Sequence, residues 1–294
     1  DRLRSRGLGD VYKRQDITLM GAGFVGVELA AIANAAGSRV HLVHHSDRAL
    51  RAFDKDLVAD LLARLRAEGV DVKLATDITA VAPADDQYRV TTASGETWTS
   101  DLVFATAGRT PVLADLHLDR INVVTTKHGI SVNGRLQTTN HHVFAIGDVV
   151  DRPQPKLTPV AGFEGQYLAQ TLTTCDSPDI VYPVIPSVVY GKTQLAQLGI
   201  TTAEATRAPE KYHVTDLDLK HWYSYQRIQD PAARIKIVVD QDSGNIVGAA
   251  VLSSEAEQVI NYLDFVIQNK MRTADINQMI TAYPTLASDL TYFN

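Results

Sequence analysis

Three glycines at fixed spacing, in the run Gly21-Ala22-Gly23-Phe24-Val25-Gly26, constrain this chain more than any other feature. The short apolar run Asp16-Ile17-Thr18-Leu19-Met20 stops at Gly21, and Phe24 to Ala36 continues with helix-forming residues and no proline. That order predicts a strand, a tight turn and a helix. In such a turn Gly21 permits the reversal, Gly23 lets the backbone approach a pyrophosphate, and Gly26 lets the helix pack closely on the strand. The phosphate charge then meets the positive end of the helix. A second strand, Arg39 to Val43, follows at the distance a βαβ unit needs, which favours a dinucleotide-binding turn over an ordinary glycine-rich one.

The end of that second strand reports which nicotinamide coenzyme is used, because an acidic residue there bonds the ribose 2′-hydroxyl. This chain has His44 and His45 at the strand end, with Arg48 and Arg51 just beyond. Cations at this point suit a 2′-phosphate through charge-assisted bonds. His45 and Arg51 are therefore candidate contacts and NADPH is the expected coenzyme. Asp47 leaves NADH open, and the bland alternative is a pair of solvated loop arginines.

Asp54 is placed to cap a helix whose Leu57, Val58, Leu61, Leu62 and Leu65 recur at helical spacing, and Gly69 ends it. That stripe reads as core. Val70 to Leu74, Tyr88 to Thr92 and Leu102 to Ala105 read as further strands, with Ser94-Gly95 as a turn. The sum is a Rossmann-like βαβ unit carrying a β-rich insertion.

Two later segments sharpen the reading: Ala105-Thr106-Ala107-Gly108-Arg109-Thr110-Pro111 and Phe144-Ala145-Ile146-Gly147-Asp148. Together with Gly21 to Glu28, they make the chain resemble the glutathione reductase family, the FAD-dependent pyridine nucleotide-disulfide oxidoreductases, from about Asp16 to the C-terminus. The resemblance implies an α/β architecture in parts: a Rossmann-like NAD(P)-binding domain at 16–110, the C-terminal half of a FAD-binding domain at 111–177, and an α+β interface domain at 178–294. Residues 1–15, Arg-rich and without an apolar period, read as a non-native leader. The family's own flavin fingerprint would stand upstream of Gly21.

Residue by residue, the resemblance implies that Phe24 covers the nicotinamide pocket and that Glu28 orients the carboxamide. Gly108, Arg109 and Gly147 fall in cofactor-binding segments, and Asp148 matches the carboxylate that bonds the flavin ribityl chain. A separate physical argument concerns Lys156-Leu157-Thr158-Pro159: a capping Thr with Pro at N1 predicts a helix running to about Leu172. Backbone N–H groups of Leu157 and Thr158 at its positive end suit the negative charge that reduced flavin develops. His141 and His142, read as strand neighbours facing opposite ways, receive no metal-ligand role.

In the last third, Ile185 to Tyr190 reads as a first strand and Thr201 to Ala205 as a helix start. Ile235 to Val239 and Ile246 to Leu252 read as a hairpin, and Glu255 to Asn269 as an amphipathic helix. Ala282-Tyr283-Pro284-Thr285 falls where the disulfide reductases carry His-Pro-Thr, whose His reaches the partner subunit's thiol pair. Here that His is Tyr283, with Ser288 where an orienting Glu would stand and Asp289 beside it. A phenol exchanges protons poorly near neutral pH. Tyr283-Pro284 is also a candidate cis bond.

The expected activity is NAD(P)H oxidation through FAD, passing electrons to a small-molecule or disulfide acceptor in a homodimer. Because of Tyr283, a metal ion, quinone, oxygen or a second nicotinamide remain alternatives as acceptor, and so does an inactive nucleotide-binding, dimerising module. The net charge of −6 and the absence of a basic cluster argue against nucleic acid, and no apolar stretch is long enough to span a bilayer. The expected compartment is cytoplasmic. Cys175 is the only cysteine, so no disulfide closes within the chain, and a packed thiol is the plain reading.

Overall fold

The computed structural model describes residues 15–173 and 178–293; Cys175 and the leader apart from Gln15 lie outside the described residues. The chain groups into two compact units, one made of the residues up to Gly108 and from Pro186 onward, the other of Arg109–Ile185.

The first unit begins with β1 (Asp16–Met20), α1 (Phe24–Ala35) and β2 (Arg39–Val43), as the glycine spacing predicts. Helix α2 (Lys55–Ala67) and β3 (Asp71–Lys73) follow. The Asp54 carboxylate accepts from the N–H groups of Asp56 and Leu57, and all five residues of the expected stripe are buried. Each such side chain contributes about 1.5–3 kcal/mol on leaving water. Gly69, at φ +103, closes the helix in a conformation that a residue with a Cβ resists.

Three strands, β4 (Ile78–Ala84), β5 (Gln87–Thr92) and β6 (Thr97–Ser100), form an antiparallel meander, which is the β-rich insertion. Strand β7 (Leu102–Ala105) then returns to pair in parallel with β1, giving the sheet order β3-β2-β1-β7. Trp98 donates its indole N–H to Thr18 Oγ1, which shares a 2.7 Å bond with Ser100, so the insertion is tied to β1 by buried polar contacts.

The second unit carries a short ribbon of β8 (Thr125–Thr126) and β9 (Gly129–Ile130), a 3-10 turn at Gly147–Val149, and helix α3 (Thr158–Thr171). The cap of α3 differs from expectation. Leu157 is the N-cap, no side chain caps it, and Thr158 is already helical, one position earlier than the Thr-Pro pattern predicts. His141 and His142 lie in a turn, not on a strand, with ring centres 3.9 Å apart, so strand alternation is not what governs them.

Back in the first unit come β10 (Ser187–Val189), β11 (Gln194–Gly199), α4 (Thr202–Arg207), β12 (Tyr212–Asp218), α5 (Tyr223–Arg227), β13 (Arg234–Asp240), β14 (Ile246–Ser253), α6 (Ala256–Gln268) and α7 (Thr273–Ile276). The strands make one antiparallel sheet in the order β10-β11-β14-β13-β12. Val189, Leu195, Ala250 and Leu252 share a continuous core with the stripe of α2. Lys236, 5 % exposed on β13, is compensated by Asp54 at 3.1 Å and Asp56 at 2.5 Å, as a buried ammonium requires.

Candidate functional site

The glycine turn is fixed from three sides. Gly21 N–H donates to Val43 O at 2.7 Å, Thr106 N–H donates to Met20 O at 2.9 Å, and Thr106 Oγ1 donates to Gly21 O at 2.8 Å. The segment Ala105-Thr106-Ala107 is therefore the clamp on the turn. Gly21 sits at φ +121, and a Cβ there would lie 2.8 Å from Thr106 O. At Gly26 a Cβ would meet Gly21 O at 1.9 Å. Both positions need glycine for backbone reasons.

Gly23 differs from both. It is the N-cap of α1, in an extended conformation any residue adopts, and nothing stands within 4 Å of where its Cβ would project. Space is left open directly over a helix N-terminus whose first turn holds no acidic residue. A cradle that one methyl group would fill is what a dinucleotide pyrophosphate needs, so the residues present fit that group. Phe24, the first helical residue, is 42 % exposed beside it. Glu28, a turn further along α1, accepts through Oε1 from Tyr190 N–H at 2.9 Å, which anchors its carboxylate to the residue after β10.

At the end of β2 the two histidines play different parts. His44 is turned inward: its Nδ1 accepts from Ala22 N–H at 3.2 Å and its Nε2 bonds Ser46 Oγ at 2.9 Å. Burial, then the neighbouring His45, hold His44 below the usual histidine pKa, with Arg51 adding to the effect. His45 is exposed, its ring 4.6 Å from that of His44. Arg48 spends one guanidinium nitrogen on Phe53 O at 3.0 Å. Arg51 is exposed and lines an open pocket of about 610 Å³ with Arg48, Lys55 and Arg207. Arg48 and Arg51 are both exposed on this pocket, which Asp54, Asp56 and Asp216 also line, and of the two only Arg48 is tied to the backbone among the described residues.

In the second unit, Arg109 and Asp148 meet: Arg109 Nη1 lies 2.8 Å from Asp148 Oδ2, and Nη2 donates to Lys156 O. Gly147, at φ +74, donates its N–H to Glu164 Oε2 at 2.6 Å, so that amide is not available to a ligand. Its contribution is the left-handed turn that presents Asp148. Leu157 requires a similar correction, because its N–H donates to Pro155 O at 3.0 Å. A single amide hydrogen already bonded cannot also meet flavin. Thr158 N–H has no acceptor among the described residues.

Glu164 is a site residue that sequence reasoning misses. It is fully buried on α3, pairs with Arg152, and accepts from Gly147 N–H and from Tyr182 OH at 2.6 Å. Burial, with the Glu164 bond and charge, pushes the Tyr182 phenol well above its ordinary value. The one signal for it in the sequence is a lone carboxylate in the otherwise uncharged stretch Thr158 to Thr171.

Tyr283 is 71 % exposed and stacks on Tyr223, ring centres 6.3 Å apart; its bond to Pro284 is cis. Ser288 closes a capping box with Thr285. Asp289 is buried, and burial raises its pKa against the opposing bond from Ser224. It therefore points into the protein. Among the described residues no group of three His, Cys, Asp or Glu is arranged to hold a metal, and no helix is long and apolar enough to cross a membrane.

Two family models cover almost the whole chain: pyridine nucleotide-disulphide oxidoreductase over residues 2–165, and the dimerisation domain of the same family over residues 185–292. An uncharacterized 19.7 kDa protein in a mercuric resistance operon of Staphylococcus aureus is 35% identical over 178 residues, 60% of this chain and 99% of that one. Glutathione reductase of Burkholderia cepacia is 28% identical over 274 residues, 93% of this chain and 61% of the relative. Dihydrolipoyl dehydrogenase of Geobacillus stearothermophilus is 30% identical over 283 residues, 95% of this chain and 59% of the relative. The chain thus spans about three-fifths of the length of these two enzymes. The solved Cu(II) complex of the HOCl-induced flavoprotein disulfide reductase RclA from Escherichia coli matches 96% of this chain and 65% of its own at a TM-score of 0.88, and at 21% identity it speaks to the fold. The glycine cradle, its Thr106 clamp and both family models agree: the chain belongs to the pyridine nucleotide-disulphide oxidoreductase family.

Proposed function

We propose that this chain is the coenzyme-binding and dimerising portion of a FAD-dependent NAD(P)H oxidoreductase, with domains at 16–110, 111–177 and 178–294. The carrying observation is the turn at Gly21 to Gly26, where two glycines are required by their backbone neighbours and the third leaves open space at a helix N-terminus. Gly21, Gly23 and Gly26 admit the pyrophosphate. Arg51 and His45 meet the 2′-phosphate, which makes NADPH the favoured coenzyme over NADH. Phe24 covers the nicotinamide pocket, and Glu28, held by Tyr190, presents its free oxygen to the carboxamide.

When bound, the nicotinamide supplies a hydride and the flavin accepts it. The second unit offers the flavin Asp148, positioned by Arg109 and by the Gly147 turn, and Thr158 N–H at the start of α3; Gly108, at φ +136, is the family's candidate cofactor glycine in the first unit. Two chains pair through the C-terminal sheet and helices, and the complete protein works in the cytoplasm. The acceptor is a disulfide or related small molecule. A second acceptor class, one needing no proton from this domain, is favoured by Tyr283 in place of a histidine and by Asp289 turned inward.

The test is anaerobic addition of NADPH to the complete protein. Bleaching of a bound flavin band, stoichiometric with NADPH, is expected. A complete protein that binds NADPH but carries no flavin would leave only the nucleotide-binding module.

A further inference from the structure

We propose that His44 is a proton-sensitive positioning residue of the coenzyme turn: its neutral ring holds the Ala22 amide, and protonation releases the turn and weakens nicotinamide dinucleotide binding. The inference rests on the reading of Gly21 to Gly26 as the coenzyme cradle. Its basis is the series of hydrogen bonds around one ring. Ala22 N–H points at His44 Nδ1, so Nδ1 must carry no proton. The ring proton then sits on Nε2 and is donated to Ser46 Oγ, whose hydroxyl donates to Arg48 O at 3.3 Å. Every donor in the series has one acceptor.

Ala22 is held from both sides by the same loop, since its carbonyl accepts from Leu50 N–H at 3.1 Å while its amide bonds His44. Ala22 is completely buried, so water does not replace a lost acceptor. A protonated ring directs an N–H against the Ala22 N–H and drives the two apart. What moves is the residue between Gly21 and Gly23, in the middle of the cradle.

The charged groups around His44 reinforce the neutral form. His45 and Arg51 on its own segment both disfavour a second positive charge. Lys73, at the end of the adjacent β3, has its ammonium on Glu96 and Asp71. On α1 the first turn has no acidic residue, and Asp54 at the start of α2 is engaged by Lys236 and Thr202. Among the described residues no carboxylate stabilises the imidazolium; burial and the His45 charge outweigh the Arg48 backbone bond that favours it, so the ring takes up its proton on the acid side of the usual histidine range.

NADPH also carries a 2′-phosphate beside the exposed His45 and Arg51, so its binding mixes in contacts other than the one at His44. NADH lacks that phosphate and isolates the His44 effect. The experiment titrates the full chain with NADH, read by nicotinamide fluorescence, between about pH 8 and about pH 5, with circular dichroism at each pH to confirm the fold. The Kd is expected to be level at the alkaline end and to rise by up to about tenfold per pH unit once His44 titrates, the limit for one proton. His44→Asn, whose Oδ1 accepts in the place of Nδ1 without titrating, is expected to lose that rise whatever its affinity at the alkaline end. Ring-nitrogen NMR shifts of His44 in the unmutated chain should track the same curve. A level Kd in the unmutated chain, a His44→Asn chain with the original slope, or ring shifts that do not follow the Kd each overturns the proposal while leaving the coenzyme reading intact. No NADH binding at any pH overturns both.

Discussion

Gly26→Ala and Gly23→Ala separate what the fold needs from what the coenzyme needs. At position 26 the added Cβ would lie 1.9 Å from Gly21 O, about 1.1 Å inside the 3.0 Å that real Cβ contacts respect, and 2.9 Å from Thr106 Oγ1. The atom in the way is backbone, so the turn must shift as a whole. Overpacking of this kind costs about 1–3 kcal/mol. Moving Gly21 O also disturbs the bond it accepts from Thr106, adding about 0.5–1.5 kcal/mol.

At position 23 nothing is struck, and φ −77 with ψ −176 suits alanine. The unfolded chain loses freedom, worth about 0.4–1 kcal/mol in favour of folding. Alanine is a poorer N-cap by a similar amount, so the net change should stay within about 1 kcal/mol of zero. Its methyl group, however, would fill the open space proposed for the pyrophosphate. Urea unfolding followed by circular dichroism, beside NADPH titration, reads both quantities. Gly26→Ala should lose stability and binding together, and Gly23→Ala should lose binding alone. A Gly23→Ala chain that binds NADPH normally, or unfolds as early as Gly26→Ala, would refute the reasoning.

Arg51→Glu should weaken NADPH far more than NADH in parallel titrations if, as proposed, its charge meets the 2′-phosphate; equal losses remove the argument. Glu164→Gln should lower the urea midpoint by the equivalent of about 3–5 kcal/mol, since Arg152 is then buried without its counter-charge. Lys236→Met should destabilise through the stranded, 5 % exposed Asp54, and its pH profile should change. In the unmutated chain burial acts to raise the Asp54 pKa, but bonds from Thr202, Leu57 and Lys236 outweigh it and lower the value. The Asp54 contribution to stability is therefore full above the ordinary carboxylate range and is lost as pH falls through the lowered value. Removing Lys236 should shrink this acid-side loss, as urea midpoints across acid pH will register.

What the sequence makes legible is local. The stripe Leu57 to Leu65 with its Asp54 cap, and the glycine turn with its flanking strands, are set by neighbours within a few positions. The start of α3 lies one residue from its expected place because Thr158 can serve either as cap or as first helical residue before Pro159. Strands β4 and β6 carry little signal, since Ile78–Ala84 is mostly exposed, alanine-rich and contains Pro83, and Thr97–Ser100 is short.

The polar interior is illegible for another reason. Lys236 reads as an ordinary strand lysine until its partner Asp54, 182 positions away, is brought to it. Glu164 likewise has no meaning without Arg152 and the Gly147 amide. In the sequence His44 and His45 form a strand-end pair, and only the fold reveals that one ring faces in and the other out.

The most direct test of the account is amide hydrogen exchange of the chain with and without NADPH. Slowed exchange is predicted across Ala22 to Val27 and in the loop from His44 to Arg51, at the glycine cradle and its cationic rim. Unchanged exchange in both stretches under saturating NADPH, or protection confined to residues 109–185, would contradict it.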